Sequence, residues 1–331
     1  MLQSVRVGVF SAVAVLAAGC STTTSTTTST TTETAPSPTS TSTPAPQKLS
    51  RAETITWARG IDPCALIEPR HLEALGTVRV IGTSSNSTSC EALVDDGTTR
   101  GIDVSWSIAF APFDFLTSSL GTLEELDGVK ARRIDAASAL APEVRDQLVE
   151  SACNYDVAFE NEIAVRMRVS TERDRDACAT ANPLARAVIS KWPEHPTQGT
   201  SPHTTVTALT DSAPCAVVPK LQESRKVSFD WKDQSLTSCF FTVDTTEVLV
   251  TFDYQAHEVV AADGEPTKFG NHDGYRKVHE GTTFADVIVG DGFDGVDAGR
   301  PSRLVPVVAV DGDDAAVVLD VTTAVLNQLP R

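Results

Sequence analysis

Basic side chains are scarce in this chain. Lysine and arginine number 27 against 44 aspartates and glutamates, and the 331 residues carry a formal net charge of −17. Binding to nucleic acid depends on Lys and Arg that neutralise phosphates, so we expect no nucleic-acid partner. The composition favours instead a partner with a basic patch, whose attraction weakens as salt is added.

Familiar catalytic motifs are also missing. The sequence has no Gly-x-Ser-x-Gly, no Ser-x-x-Lys and no His-Glu-x-x-His. It has no Cys-x-x-Cys and no Cys/His cluster at zinc-ligand spacing. We therefore predict a protein that is not an enzyme and needs no cofactor. The alternative is an enzyme, or a sensor of a small ligand or metal, whose site is assembled from scattered residues. Such a site would show convergent ionisable groups in a concave pocket.

Two polar runs come closest to metal-ligand patterns. His272, Asp273 and His279 have a spacing that fits no familiar site, and we expect a polar turn there that leads into a strand at Gly274. The run from Asp291 to Asp297 holds three carboxylates, but it lacks the alternating acids and the closing glutamate of an EF-hand. We expect an acidic surface turn and no metal at either place.

The chain has no apolar run long enough to span a bilayer, which takes roughly 20 residues. Its longest candidate, Val7–Ala18, is apolar apart from Ser11 and follows the cation Arg6. A positive start, a short apolar core and small residues before a cut are typical of a secretory signal, here residues 1–19.

The end of this segment adds a lipid anchor to the prediction. Residues 16–20 read Leu-Ala-Ala-Gly-Cys, which resembles the lipobox of bacterial lipoproteins, although Ala17 stands where Leu is commonest. The resemblance implies that Cys20 becomes the first mature residue and carries a diacylglyceryl group and further acyl chains such as palmitate. Two acyl chains are enough to hold a protein stably on a membrane. The expected location is the outer face of the plasma membrane. The alternative is an ordinary secretory signal with an accidental cysteine.

Residues 20–50 begin with this cysteine and are otherwise dominated by Ser, Thr and Pro. Such a composition buries too little apolar surface to offset chain entropy, so we predict a disordered tether that lifts the folded part off the lipid.

The remaining chain repeats one order of motifs. Asp62-Pro63-Cys64 and Ala213-Pro214-Cys215 each open a segment, and Ser89-Cys90 and Ser238-Cys239 follow them at similar distances. An alternating strand, a glycine-led basic segment, late strands and a closing helix come next in both. We predict a tandem duplication, with one domain at 51–196, a linker at 197–204 and a second domain at 205–331.

Six cysteines remain beyond Cys20, and an even number in an exported chain argues for disulfides. They formally allow 15 pairings. The second domain lacks the last two cysteines of the pattern, which is what loss of one bonded pair would leave. We therefore predict loops of about 25 residues closed by Cys64–Cys90, Cys153–Cys178 and Cys215–Cys239. A link between Cys64 and Cys178 would contradict this pairing.

Capping residues and the periodicity of apolar side chains predict where the helices lie. Asp62 followed by Pro63 predicts a helix that breaks at Pro69, restarts through His71, Leu72 and Leu75, and ends at Gly76. Amphipathic helices are predicted at Asp176–Lys191 and Asp314–Leu329, with a shorter one at Glu143–Val149. The strands alternate between polar and apolar residues, as in an antiparallel sheet solvated on one face. The predicted fold class is α+β, two related domains, each with helices packed on one face of a sheet.

These features together resemble a family of small actinobacterial lipoproteins, catalogued as domain of unknown function 3558. The resemblance rests on the lipobox, the tether, Asp62-Pro63-Cys64-Ala65-Leu66-Ile67 and the late Cys178. It implies an envelope location and a disulfide-linked α+β domain, and it supplies no catalytic residues. We expect a binding module whose partner is an envelope protein, glycan or lipid.

The anchor prediction is tested on the native protein. We expect its first peptide to begin at Cys20 with the mass of attached acyl chains, and the Cys20→Ala variant to lose them. Ser21→Ala is the control and should leave the lipid in place. Mass spectrometry that finds an unlipidated mature chain with free thiols would contradict both the location and the disulfides.

Overall fold

The computed structural model describes residues 49–111, 120–136, 140, 147–262 and 264–330. The signal, Cys20 and nearly all of the tether lie outside the described residues, as does most of the Glu143–Val149 helix prediction. Residues Lys48–Arg331 form one compact unit. Within the described ranges, none of the helices has the length and apolar character needed to cross a membrane.

The first lobe is a seven-stranded antiparallel sheet with its helices. Its strands are β1 (Thr77–Thr83), β2 (Ser89–Asp95), β3 (Ile102–Phe110), β4 (Thr122–Leu126), β5 (Val129–Asp135), β6 (Glu150–Ala158) and β7 (Ile163–Glu172). Its helices are α1 (Arg51–Arg59), α2 (Pro69–Glu73) and α3 (Ala177–Lys191), with 3-10 turns at Glu160–Glu162 and Trp192–Glu194. The spatial order of the strands is β1-β2-β3-β7-β6-β5-β4.

The second lobe is an eight-stranded antiparallel sheet with its helices. Its strands are β8 (Val227–Ser228), β9 (Ser238–Val243), β10 (Thr246–Ala256), β11 (Glu265–Phe269), β12 (His272–His279), β13 (Thr282–Ile288), β14 (Phe293–Asp297) and β15 (Arg300–Gly312). Its helices are α4 (Val217–Gln222), α5 (His257–Val260) and α6 (Ala315–Leu326), with 3-10 turns at Pro214–Ala216 and Trp231–Asp233. The order is β11-β12-β13-β15-β10-β9-β8, and β14 pairs only with β15.

The two sheets have the same topology. When β14 is set aside, both place their strands in the order first, second, third, seventh, sixth, fifth, fourth along the chain. The predicted α+β class with antiparallel sheets is therefore confirmed.

Alternation along each strand divides core from surface. In β3, Val104, Trp106 and Ile108 point into the core, while Ser105 and Ser107 face the other side of the sheet. Helix α3 packs on the core side of this sheet, where Ala181, Leu184, Ala185 and Val188 are buried. Each buried Leu, Ile or Val contributes about 1.5–3 kcal/mol by leaving water, so this apolar face fixes which side of the sheet the helix covers.

All three predicted disulfides are present. The Cα atoms lie 5.2 Å apart in Cys64–Cys90, 5.0 Å in Cys153–Cys178 and 5.2 Å in Cys215–Cys239, which is ordinary disulfide geometry. The second pair joins β6 to the first turn of α3. The second lobe has no counterpart to that bond among its described residues.

The helix predicted to begin at Asp62 is wrong. Residues 62–68 form turns, whereas the predicted restart through His71 and Leu72 is present as α2, which begins at Pro69 and ends at Glu73. Asp62 still caps the turn, because its Oδ1 accepts from the backbone N–H of Cys64 at 3.0 Å. The carbonyl of Pro63 accepts from the backbone N–H of Leu66 at 3.1 Å, as in a turn, and also from the indole N–H of Trp106 at 2.6 Å.

The two terminal helices are confirmed. Asp176 caps α3 by accepting from Ala179 N–H, and Asp314 caps α6 by accepting from Ala316 and Val317 N–H. Asp311, three residues before this cap, lies in β15. The first helix was not predicted, although Ser50 and Glu53 form a capping box that the sequence displays.

A buried guanidinium joins the two lobes. Arg59, at the end of α1, is 5% exposed and donates to the backbone carbonyls of Leu209, Thr210, Ser212 and Leu236. Burial lowers its pKa to about 10, so the group stays charged at neutral pH. Four carbonyl dipoles from the second lobe therefore take the place of water around one cation of the first lobe.

The chain between the sheets packs against the same region. Ile61 and Thr197 form an isolated bridge, and Gln198 Nε2 donates to the carbonyls of Arg59, Ile61 and Ser87. Asp62 Oδ2 accepts from Ser201 N–H at 2.8 Å. The predicted linker at 197–204 is thus bonded to the first lobe over much of its length.

Arg59→Met is expected to lower the free energy of unfolding by about 3–5 kcal/mol, because four buried carbonyls lose their donor. Chemical denaturation of the two proteins measures the difference. Arg303→Met is the control, since that side chain is 64% exposed and its loss should cost less than about 0.5 kcal/mol. Equal stability of the two variants would show that the buried cation does not hold the lobes.

Candidate ligand-binding groove

A polar groove of about 500 Å³ lies on the face of the first sheet that α3 leaves uncovered. It is lined by Ser84, Ser85, Ser89, Cys90, Glu91, Ser105, Trp106, Ser107, Ile134, Asn154, Tyr155, Asp156, Arg166, Met167 and Arg168. Most of these residues are hydroxyl, amide or charged side chains. The volume falls within the range of small-molecule sites.

Strand register brings the polar groups together. Ser105 lies opposite Arg168 and Ser107 opposite Arg166, because β3 and β7 are antiparallel neighbours. On the other side of β7, Asp156 lies opposite Arg166. Two arginines two residues apart on one strand face are about 7 Å apart and point the same way.

A second cavity of about 460 Å³ continues the groove toward the second lobe. The two cavities share Ser89, Ser107 and Arg166. The added walls are Arg51 at the start of α1 and the segment 232–237, which comes from the second lobe and follows the Trp231–Asp233 turn. The groove is therefore built from both sheets and the first helix.

Each arginine in the groove forms an ion pair with a carboxylate, and Arg168 also interacts electrostatically with Asp103. Arg166 Nε lies 3.4 Å from Asp156, and Arg168 Nη2 lies 3.0 Å from Glu150. Both guanidinium groups remain nearly half exposed, so these pairs contribute little to stability.

The end near the second lobe has two further cations. Arg51 Nη1 lies 3.5 Å from Glu162, and its guanidinium carbon sits 3.1 Å from the centre of the Phe110 ring. Burial lowers the pKa of Arg51, and Glu162 partly opposes that shift. Lys232 is exposed and forms no ion pair with any described residue.

Glu91 lies at the opposite end and is 8% exposed. Its Oε1 accepts from the backbone N–H of Gly299, in the turn between β14 and β15. Burial raises the pKa of Glu91 to about 7, with further increases from Asp103 and Asp297. Gly299 is required in this turn, because its φ is +73° and a Cβ would lie 3.1 Å from a carboxylate oxygen of Asp103.

The second sheet has a different surface at the equivalent positions. The matching register partners are Cys90, Trp106 and Met167 in the first sheet and Cys239, Val250 and Val310 in the second. By this alignment Arg168 corresponds to Asp311 and Arg166 to Ala309. The second lobe thus has an acid and a methyl group where the groove has two guanidinium groups.

The polar runs singled out in the sequence do not form a site. The expected strand at Gly274 is β12, with His272 and His279 at its two ends. The turn that leads into it lies at residues 270–271, before His272, and Asp273 is already in the strand, where it pairs with Lys268. The run from Asp291 to Asp297 includes β14 rather than being a turn throughout. Among the described residues, no three His, Cys, Asp or Glu side chains are grouped so that they could hold a metal ion.

None of the groove residues except the disulfide-bonded Cys90 had been named as a candidate from the sequence. The sequence does show two polar rows that could have indicated a site. Ser105 and Ser107 alternate with core residues in β3, and Arg166 and Arg168 alternate with core residues in β7. Only the strand pairing shows that these two polar rows adjoin. Cys20, the predicted lipidation site, lies outside the described residues.

The fold and groove describe a disulfide-linked α+β protein with one polar concave face. The family described as Protein of unknown function (DUF3558) matches residues 15–191, which is more than half of the chain. The chain belongs to this family, as the resemblance indicated.

Other comparisons add no functional information. No curated protein sequence matches the chain. Among solved structures, it is similar to the di-domain ARO/CYC BexL from the BE-7585A biosynthetic pathway, at 7% identity over 84% of this chain and 88% of that chain. The TM-score of 0.17 is too low to support any conclusion about fold or function.

Glu91→Gln is expected to flatten the pH dependence of stability. The folded pKa of Glu91 lies above the ordinary value of 4.5, so the wild type should lose stability as pH rises from about 4.5 through about 7. Allowing for solvent screening, the loss amounts to about 1–2 kcal/mol, and the variant should lack it. Denaturation at pH 5 and pH 8 measures this difference. Glu125→Gln, at an exposed position of β4, should keep the wild-type slope; an unchanged slope in Glu91→Gln would refute the shift.

Proposed function

We propose that the protein is a non-catalytic binding module, anchored by lipid on the outer face of the plasma membrane, and that its ligand site is the polar groove of the first lobe. The observation that carries the proposal is the groove itself. It is concave, it is built by both lobes, and its polar groups lack protein partners for many of their hydrogen bonds. Polar groups that become buried on binding are normally hydrogen-bonded. The unpaired polar groups in this groove are therefore available to bond a ligand that covers them.

The location rests on the sequence. Leu16 to Cys20 resemble a lipobox, and three disulfides fit an exported protein rather than a cytosolic one. The membrane is then reached through the acylated Cys20, and the tether at 20–50 leaves the groove accessible in the envelope. A protein, glycan or lipid of the envelope is the expected partner, and a nucleic acid is not.

We also propose that residues 51–196 and 205–331 are two domains that arose by tandem duplication in an actinobacterial lipoprotein. The shared strand order and the matching positions of Cys64–Cys90 and Cys215–Cys239 support this. After duplication, the face with two arginines would keep the binding role, while the second lobe supplies one wall of the groove.

An envelope enzyme is the second candidate, and Glu91 is the observation that favours it. A carboxyl group with a pKa near 7 in a groove is suited to proton transfer. Its Oε1 is already bonded to Gly299, and no histidine lines the groove in the described part of the chain. The binding role is therefore the preferred function.

Blocking the groove tests the proposal. Ser107→Trp should fill it, because Ser107 lies where the two cavities meet. We expect an envelope extract to slow hydrogen exchange of β3 and β7 in the wild type but not in this variant. Thr251→Trp is the matched control at the equivalent position of the second sheet, and it should behave as the wild type.

Protection that persists in Ser107→Trp would contradict a ligand in the groove. If the wild type instead consumes a component of the extract over time and Glu91→Gln does not, the protein is an enzyme and not a non-catalytic binding module.

A further inference from the structure

We propose that the groove binds a hydroxylated anion, that is, a sugar or another polyol bearing a carboxylate or phosphate. The inference rests on the proposed binding function and names the chemistry of its ligand.

Unused donors of two arginines provide the anion site. Arg168 engages only Nη2, with Glu150, and its Nε and Nη1 have no hydrogen-bond partner among the described residues. Arg166 uses Nε with Asp156 and Nη2 with the carbonyl of Phe110, which leaves Nη1. Guanidinium donors form strong, directional bonds to carboxylate and phosphate oxygens. Since both groups lie on one strand face, one acid group can be reached from both.

A second positive region lies where the groove continues. Lys232 has no carboxylate within ion-pair distance among the described residues, and it faces Arg166 and Arg51 across the second cavity. Arg51 Nε is buried and has no hydrogen-bond partner there. Four cations and two carboxyl groups, those of Glu91 and Asp156, thus line the groove, so cations outnumber acids there in a chain whose net charge is −17.

Acceptors and hydroxyls in the same groove call for a ligand that also donates. Gln234 is 5% exposed, lines the second cavity, and its Oε1 has no hydrogen-bond donor in the described structure. That oxygen needs a hydrogen-bond donor, which a fully deprotonated acid group lacks and a ligand hydroxyl supplies. Ser hydroxyls at 105 and 107 can both donate and accept, so they suit a polyol beside the acid group.

The second lobe provides an internal contrast. Its equivalent face carries Asp311 and Ala309 in place of Arg168 and Arg166, so an anion would be repelled there. Only the first lobe should therefore take this ligand. An acyl chain is a poor occupant of the groove, because burial would leave its polar lining unpaired.

Calorimetric titration of the full mature chain with four probes tests the ligand class. The probes are glucuronate, glucose 6-phosphate, glucose and inorganic phosphate. We expect the two sugar acids to bind at least about tenfold more tightly than either glucose or phosphate alone, because only they engage both the cations and the acceptors. Their affinity should fall as salt is raised.

Variants locate the site. Arg168→Gln should weaken both sugar acids about tenfold or more, and Arg168→Lys should weaken them less, because it keeps the charge and loses the planar fork. Gln234→Leu should weaken the sugar acids but not inorganic phosphate. Arg303→Gln, an exposed cation of the second lobe, is the control and should change nothing. Unchanged melting temperatures would show that the variants are folded.

A further experiment distinguishes a soluble ligand from the headgroup of a membrane lipid. Vesicles containing phosphatidylglycerol present a polyol phosphate, and phosphatidylcholine vesicles are the control. Binding of the delipidated chain to the first kind, lost in Arg168→Gln, assigns the site to a headgroup; binding of soluble sugar acids without vesicle binding assigns it to a glycan. Equal affinity for glucose and glucuronate, or no binding of any probe at millimolar concentration, would overturn the ligand class. The binding function would still stand if Ser107→Trp abolished the protection caused by envelope extract.

Discussion

The contact on which the structure most depends is the buried guanidinium of Arg59. A cation without water must be surrounded by dipoles, and here the backbone carbonyls of Leu209, Thr210, Ser212 and Leu236 supply them. All four belong to segments of the second lobe, while Arg59 ends the first helix of the first lobe. Leu236 also places its side chain in the first core. The two sheets are therefore held as one unit by a polar contact and an apolar contact at the same place.

This junction also extends the groove. The first lobe by itself lines the cavity of about 500 Å³, and the segment that offers the carbonyl of Leu236 to Arg59 adds a wall to the adjoining cavity of about 460 Å³. The turn containing Gly299, also from the second lobe, donates a backbone N–H to the buried carboxyl group of Glu91. The extended groove and the raised pKa of Glu91 therefore both depend on the packing of the two lobes.

The two lobes show how one topology can support two surfaces. Their core faces alternate in the same way and each is tied by a disulfide at the second strand. The opposite faces differ in charge, with Arg168 in one sheet where Asp311 stands in the other. Side chains on a solvated face are free to change because they do not alter the packing of the core. The separation of roles proposed for the two lobes follows from that freedom.

The sequence alone determined the features that depend on local spacing. Each pair of bonded cysteines encloses a short loop, and Asp176 and Asp314 cap the helices that directly follow them, so both kinds of feature could be predicted. The segment after Asp62 is a turn instead of the expected helix, and its Pro63 carbonyl accepts from Leu66 N–H and from the indole N–H of Trp106, 43 residues further along the chain. A contact with so distant a residue is not visible in the local sequence. The groove could not be predicted for the same reason, since strand register and lobe packing unite Ser107, Arg166 and Lys232 from distant parts of the chain. Local patterns fix caps, strands and covalent loops, whereas a site made of long-range neighbours exists only once the backbone has folded.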